Sequence, residues 1–184
     1  MIARQTEWPR QWLMTDERIG ERLWEAIDRL PVSASGLVFR HYRTPAGERA
    51  VLAGRVAEIC RRRSLTLAVA ADVELARTLR ADLIHNPSGP TGELPFSRSV
   101  HSLEDAEAAR LDGASLVFVS PIYPTRSHPG GETLTASMAA VIAKAAGVPA
   151  IALGGMDGSK FERLEREGFH GWAGIDAWLK PSRE

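Results

Sequence analysis

A chain of 184 residues has room for one domain with a real core, and 44% hydrophobic with 25% charged residues is ordinary globular composition. Lys plus Arg and Asp plus Glu number 23 each, so the formal net charge is zero and no overall field draws the chain to nucleic acid or to an anionic membrane. No run reaches the roughly 18 apolar residues of a membrane span, MIARQTEWPRQW lacks the apolar stretch of a secretion signal, and a single cysteine excludes an internal disulfide, so a cytoplasmic location is expected.

In chain order, short apolar runs alternate with longer amphipathic ones. Strands are expected over 11–15, 36–41, 66–70, 82–85, 96–100, 115–120, 150–153 and 171–175. Most are apolar throughout instead of alternating, which suits strands covered on both faces. Helices are expected over 21–30, 47–63, 73–80, 103–112, 135–146 and 159–167. Gly113, Gly147 and Gly168 sit where left-handed C-caps are expected. Cys60 lies in an apolar helical frame with Val56 and Ile59 and reads as a buried structural thiol. The Arg61-Arg62-Arg63 run that follows reads as a solvated helix end favoured by the helix dipole.

Strand–helix alternation with short connections implies parallel strands joined by right-handed crossovers. Eight such units close into a (βα)8 barrel, a compact α/β TIM barrel occupying residues 1–184 as one domain. Two places save length: the segment 86–95, with PSGPTGEL, where a fourth helix is not expected, and the end of the chain, where the eighth helix is short. Trp8, Trp12 and Trp178 read as exposed-looking tryptophans that close the bottom of the barrel or, as the alternative, form a homodimer patch.

Functional side chains of such a barrel gather just past the strand C-termini. That rule collects Thr15, Asp16, Glu17, Arg40, His41, Ala71, Asp72, His85, Asn86, Ser99, His101, the loop 120–131, Gly154, Gly155, Gly174, Ile175 and Asp176. His41, His101 and His128 are the candidate acid–base residues. The sixth loop, SPIYPTRSHPGG, is too rich in proline for a helix, and its hydroxyls, cation and terminal glycines suit folding over an anion. The paired glycines of AIALGGM let backbone N–H groups approach a phosphate. An ordinary surface loop and a tight turn are the plain alternatives for these two segments.

The segments WLMTDER, LVFRHY, SVHSLEDAEAARLDGASLVFVSPIYPTRSHPGG and PAIALGGM give the chain a resemblance to the thiamine phosphate synthase and TenI family along nearly its whole length. The resemblance implies a barrel in which synthases join a pyrimidine diphosphate to a thiazole phosphate and expel pyrophosphate. It implies a basic pair after the second strand and a sixth-loop lysine on the diphosphate, with magnesium held after the third and fourth strands by an Asn-Asp pair and an Asp. It also places backbone groups after the seventh and eighth strands on the thiazole phosphate.

Carried over by residue, Arg40 falls on the family arginine and Tyr42 on its lysine. Ala70 and Ala71 fall on the Asn-Asp pair, and His85-Asn86-Pro87 opens the fourth loop without the acidic ligand. Ser99 and Thr125 match hydroxyl positions, Ser127 replaces a threonine, and His128 replaces the lysine. Gly154 and Gly155 are retained, Gly174 and Ile175 lie at the eighth-strand cradle, and Asp176 replaces a serine there, pointing away as an N-cap if a phosphate is to bind. Magnesium needs oxygen ligands that two alanines do not supply, so no metal ligand is assigned and an efficient synthase is not expected.

TenI-type members lack synthase activity, and some isomerise a thiazole carboxylate phosphate with a sixth-loop histidine; Pro121 stands at that position, leaving His41, His101 or His128 as the substitute base. The expected ligand is a small phosphorylated thiazole or pyrimidine compound. The alternative is a non-catalytic or regulatory barrel that binds such a ligand. Restoring Asn and Asp at positions 70 and 71 is expected to raise magnesium-dependent binding if the ancestral cleft geometry persists.

Overall fold

A computed structural model describes residues 7–125 and 132–179. Eight parallel strands form a closed barrel in sequential order. They are β1 (Gln11–Met14), β2 (Ser35–Phe39), β3 (Thr66–Ala70), β4 (Leu83–His85), β5 (Phe96–Val100), β6 (Leu116–Val119), β7 (Ala150–Leu153) and β8 (Gly171–Gly174). The barrel closes where Gln11, Trp12 and Leu13 of β1 pair with Trp172, Ala173 and Gly174 of β8.

Six helices wrap the barrel: α1 (Arg22–Asp28), α2 (Ala46–Arg62), α3 (Val73–Leu79), α4 (Leu103–Leu111), α5 (Ala136–Ala146) and α6 (Gly158–Glu165). No helix stands between β4 and β5, and the unit after β8 has only a 3-10 turn, Asp176–Trp178, among the described residues. These are the two sectors expected to be short. A second 3-10 turn, Glu17–Ile19, follows β1. Four helices start on side-chain caps: Asp72, Ser102, Thr135 and Asp157 accept from backbone N–H groups three residues on. Gly113, Gly147 and Gly168 have φ of 80°, 65° and 91°, the left-handed turn ends their positions called for.

Small residues let the outer ring sit close to the strands. Ala53 and Ala57 of α2, Ala106 and Ala109 of α4, and Ala139, Ala143 and Ala146 of α5 are all buried. Inside the barrel, Trp12 meets Phe118 edge-on at 5.6 Å, and Phe118 meets His85 in the same manner at 5.1 Å. The Trp12 ring fills the place of a side chain at Gly36, its partner on β2, where a Cβ would stand 2.3 Å from the indole. A glycine on that strand is thus a packing requirement.

Burial assigns the tryptophans to structural positions. Trp8 donates to the Ser115 carbonyl beside the N-terminal end of β6, closing the base of the barrel as expected. Trp12 lies in the interior, fully buried, and Trp178 stacks on Trp172 at 5.0 Å while donating to the Trp12 carbonyl. The exposed tryptophan patch is therefore corrected: all three side chains are already covered within the chain. Arg63 likewise has a structural task, donating to the carbonyls of Ile27, Asp28 and Leu30 at the end of α1. Burial pushes the Cys60 thiol up to about 12, so it is inert at neutral pH.

Candidate functional site

The C-terminal ends of β6, β7 and β8 open onto a cavity of about 430 Å³. Backbone conformation shapes its floor. Gly154 (φ 97°) and Gly155 (φ 59°) follow β7, and the β6 loop lies directly across them. Ile122 and Tyr123 donate their N–H groups to the carbonyls of Leu153 and Gly154, both at 3.0 Å. A Cβ on Gly154 would stand 2.9 Å from Pro121, and one on Gly155 would stand 2.5 Å from the Pro124 carbonyl oxygen. The pair is needed for this close approach as well as for its φ values.

Among the described residues, three cations reach the cavity from three elements: Arg18 from the turn after β1, Arg40 from the end of β2, and Lys160 from the first turn of α6. Each is held by a carboxylate. Arg40 donates through Nε to the Thr15 carbonyl at 2.8 Å and lies 3.3 Å from Asp16. Arg18 lies 3.4 Å from Asp176, and Lys160 lies 3.5 Å from Asp157. Lys160 also donates to the Gly155 carbonyl, with its ammonium 5.2 Å from the centre of the Tyr123 ring. Burial pushes the Asp157 carboxyl up, but hydrogen bonds from Ser159 and Lys160 outweigh it and hold the group below the usual carboxylate range. Leu153, Met156, Ile175 and Ala177 supply an apolar portion of the wall.

The expected site residues separate into three groups. Arg40, His101, Thr125, Gly154, Gly155, Gly174 and Ile175 line the cavity together. His41 and Ser99 are near the strand ends but not in its wall. His41 is buried, stacked on Phe39 at 4.8 Å, and its Nδ1 meets the Thr15 hydroxyl at 3.0 Å. Burial lowers its pKa from the ordinary histidine value. Ser127 and His128 lie outside the described residues. Asp176 departs from the expected N-cap: Ile175 occupies that position without a side-chain cap, and the Asp176 carboxylate faces Arg18.

Arg18 and Lys160 are the cavity cations that the rim rule missed. Arg18 belongs to the WLMTDER segment, three residues past Thr15, and a 3-10 turn folds it back over the barrel mouth. Lys160 lies in a first helical turn, which stands above the strand end that feeds it. Extending the rim into the first turn of the following helix would have found both.

The β3–β4 corner is arranged differently. Ala70 is fully buried and its carbonyl accepts from Arg49 Nη2 at 2.9 Å. Arg49 also donates to the His41 carbonyl and pairs with Asp72 at 3.1 Å. The Ala71 carbonyl accepts from the Ser88 hydroxyl at 2.8 Å, drawing the fourth loop onto the corner. The Asn86 amide is taken up by Ser99: its oxygen accepts from Ser99 N–H at 2.8 Å and its nitrogen donates to Ser99 Oγ at 3.1 Å. Alanine methyls, committed carbonyls and a fixed guanidinium do not fit a magnesium ion, which takes oxygen ligands in near-ideal octahedral array.

His101 is the one histidine in the cavity wall among the described residues. Its Nδ1 lies 2.8 Å from the Ser120 carbonyl oxygen. His85, by contrast, is fully buried inside the barrel between Ser97, Asn86 and Ser99, and burial pushes its pKa down to about 3.

Comparison with known proteins supplies relatives for this architecture. A family model described as Thiamine monophosphate synthase matches residues 12–178. The Aquifex aeolicus protein named "Putative thiamine-phosphate synthase 2" is 26% identical, the match covering 95% of this chain and 100% of that protein. The "Thiamine biosynthesis bifunctional protein ThiED" of Geobacter sulfurreducens is 26% identical over 77% of this chain and only 30% of that protein. Among solved structures, a thiamine phosphate pyrophosphorylase from Pyrococcus furiosus superimposes with a TM-score of 0.80 at 20% identity, covering 94% of this chain and 88% of that one, a likeness of fold.

Proposed function

The chain belongs to the thiamine monophosphate synthase family, and from that premise we propose that its cleft over β6, β7 and β8 binds a small phosphorylated thiazole- or pyrimidine-type ligand of thiamine metabolism, without efficient magnesium-dependent expulsion of pyrophosphate. The observation that carries this reading is the contrast between two sides of one rim. The β6–β8 side has a glycine floor and an apolar wall around one cavity, which Lys160 of α6 and, from β1 and β2, Arg18 and Arg40 also line. The β3–β4 side has Arg49 and Ser88 bonded to the carbonyls where a metal site would need open oxygens. A leaving pyrophosphate needs its charge neutralised, and the corner that would organise a metal for this is closed.

Within the cleft, His101 is the proposed acid–base residue. The Ser120 carbonyl can only accept, so Nδ1 carries the proton of the neutral ring and Nε2 keeps its lone pair. A base in that tautomer suits proton abstraction from a ligand carbon, the chemistry of an isomerase, and no metal step is required. Arg18, Arg40 and Lys160 would hold the anionic end, with Thr125, Gly154, Gly155, Gly174 and Ile175 closing around it.

A second reading, a binding or regulatory barrel without turnover, is favoured by one specific feature: among the described residues each cavity cation is already paired with a carboxylate, so a ligand binds only if it offsets the loss of such pairs. One experiment separates the readings. Thiazole phosphate, thiamine phosphate, pyrophosphate and inorganic phosphate are screened by thermal shift with and without magnesium, and bound thiazole ligand is then followed by NMR in D2O. Magnesium-independent stabilisation by thiazole phosphate with hydrogen exchange on the ring supports the enzyme, and binding without exchange supports the receptor. Tight magnesium-dependent pyrophosphate binding, or silence from all four compounds, overturns the cleft reading.

A further inference from the structure

Four charges of alternating sign run along the rim from β8 to β2. Asp176 lies 3.4 Å from Arg18, Arg18 lies 3.9 Å from Asp16, and Asp16 lies 3.3 Å from Arg40. Both arginines and Asp176 belong to the cavity wall, whereas Asp16 stands behind it. The row brings two guanidinium groups to a ligand but balances them with two carboxylates. Of these carboxylates, Asp176 is the one that itself faces the cavity. An arriving phosphate oxygen and the Asp176 carboxylate therefore compete for one guanidinium, and the two anions repel each other. The side chains of Arg18 and Asp176 are 32% and 28% exposed, so the exchange of partners requires no opening of the core.

Building on the reading of this cleft as a phosphorylated-ligand site, we propose that Asp176 sets the affinity threshold that an anion must exceed to occupy it. It occupies Arg18 in the free protein and yields it only to a ligand that also fills the apolar wall. Inorganic phosphate brings charge alone and must displace Asp176 without compensation. A phosphorylated heterocycle brings its ring to Leu153, Met156, Ile175 and Ala177 as well, and the burial of that ring offsets the exchange. The same exchange is required of both ligands, so the carboxylate lowers the affinity for each, and only the complete ligand, with its ring contacts, keeps a surplus for binding.

The test is calorimetric titration of inorganic phosphate and of thiazole phosphate into the wild-type chain, Asp176→Asn, Arg18→Gln and the double variant, with melting curves to confirm folding. The asparagine keeps the shape of the side chain and removes its charge. Asp176→Asn is expected to bind both probes about two- to fivefold more tightly, the range of a partly exposed ion pair. On the Arg18→Gln background that gain is expected to vanish, because it works through the released guanidinium. Wild type that binds thiazole phosphate, paired with an Asp176→Asn variant that binds it equally or more weakly, overturns the assignment and leaves the cleft reading standing. A gain that persists without Arg18 also overturns it. If no protein of the set binds either probe, the cleft reading fails and the assignment with it. Should Asp176→Asn melt early, Asp176→Ser makes the same comparison.

Discussion

Arg49 Nη2 donates to the main-chain oxygen of Ala70 at 2.9 Å, so a side-chain cation stands at the corner where the family resemblance places magnesium ligands. The same guanidinium bonds the His41 carbonyl and Asp72, tying together the ends of β2 and β3 and the start of α3. A buried arginine so committed cannot be displaced cheaply, since each abandoned acceptor loses about 1–3 kcal/mol.

This geometry changes the expected outcome of restoring the metal-site residues. From sequence alone, Ala70→Asn with Ala71→Asp promises magnesium-dependent binding. With Arg49 in the corner and Ala70 fully buried, the pair is expected to add no magnesium dependence and to lower stability by about 1–3 kcal/mol through overpacking. Titration of pyrophosphate with and without magnesium, beside a urea melt, checks both halves. A magnesium-dependent gain would show that the corner is open after all.

His101→Gln is expected to leave thiazole phosphate affinity within about threefold of wild type while removing ring hydrogen exchange. The side chain meets the Ser120 carbonyl through Nδ1 and offers Nε2 as the base, so its loss falls on proton transfer and not on charge binding. Exchange rates in D2O against pH provide the measurement. A variant that still exchanges at the wild-type rate would assign the proton transfer to another group.

Lys160→Met is expected to weaken thiazole phosphate binding by about tenfold, the loss of one charge-assisted contact, while keeping the fold. The methionine stem can still lie over Tyr123, where the lysine sits now. Gly155→Ala should do more harm: its Cβ would meet the Pro124 carbonyl oxygen at 2.5 Å in a backbone at φ 59°. Loss of binding together with about 1–3 kcal/mol of stability is expected there. Isothermal titration and chemical denaturation of the two variants, side by side, distinguish a lost contact from a lost floor.

Stability should fall in acid because of His85. Burial holds its ring neutral, with a folded pKa of about 3 against an unfolded value of about 6.5, and Nε2 faces the donor Asn86 Nδ2. Between those values the unfolded chain binds the extra proton. The stabilisation is complete above pH 6.5 and declines by about 1.4 kcal/mol per pH unit as pH falls toward 3. Urea midpoints at pH 7 and pH 4.5 should separate much less in His85→Gln than in wild type. Equal separation in the two proteins would remove His85 as the cause.

The fold was legible because its signals are local and repeated. Apolar runs such as 66–70 and 150–153 read as covered strands, and Gly113, Gly147 and Gly168 turn left-handed where helix ends were expected. The glycine floor and Arg40 were legible too, because strand ends define the rim. What escaped was partnership across distance. Nothing near Ala70 in the sequence signals that Arg49, 21 positions earlier, would bond its carbonyl. Nor does the spacing of Asp16, Arg18 and Asp176 reveal a charge row, since the two ends of the chain meet only when the barrel closes. Histidine enrichment at strand ends was also ambiguous: His41 turned into the packing and His85 into the barrel, leaving His101 at the cavity among the described residues.

The missing fourth helix gives the barrel wall an uneven mechanical character. In six of the eight units a helix lays an apolar face on the strands, but the segment after β4 is a loop tied through Ser88 to Ala71 and by Arg77 and Arg98 bonds to the carbonyls of Thr91 and Pro87. Such ties break one at a time and expose little hydrocarbon. Amides of that sector should therefore exchange with solvent through small, urea-insensitive fluctuations, while those of β1, β2 and β6 wait for the whole molecule to open. That sector adjoins the corner where Arg49 bonds the Ala70 carbonyl.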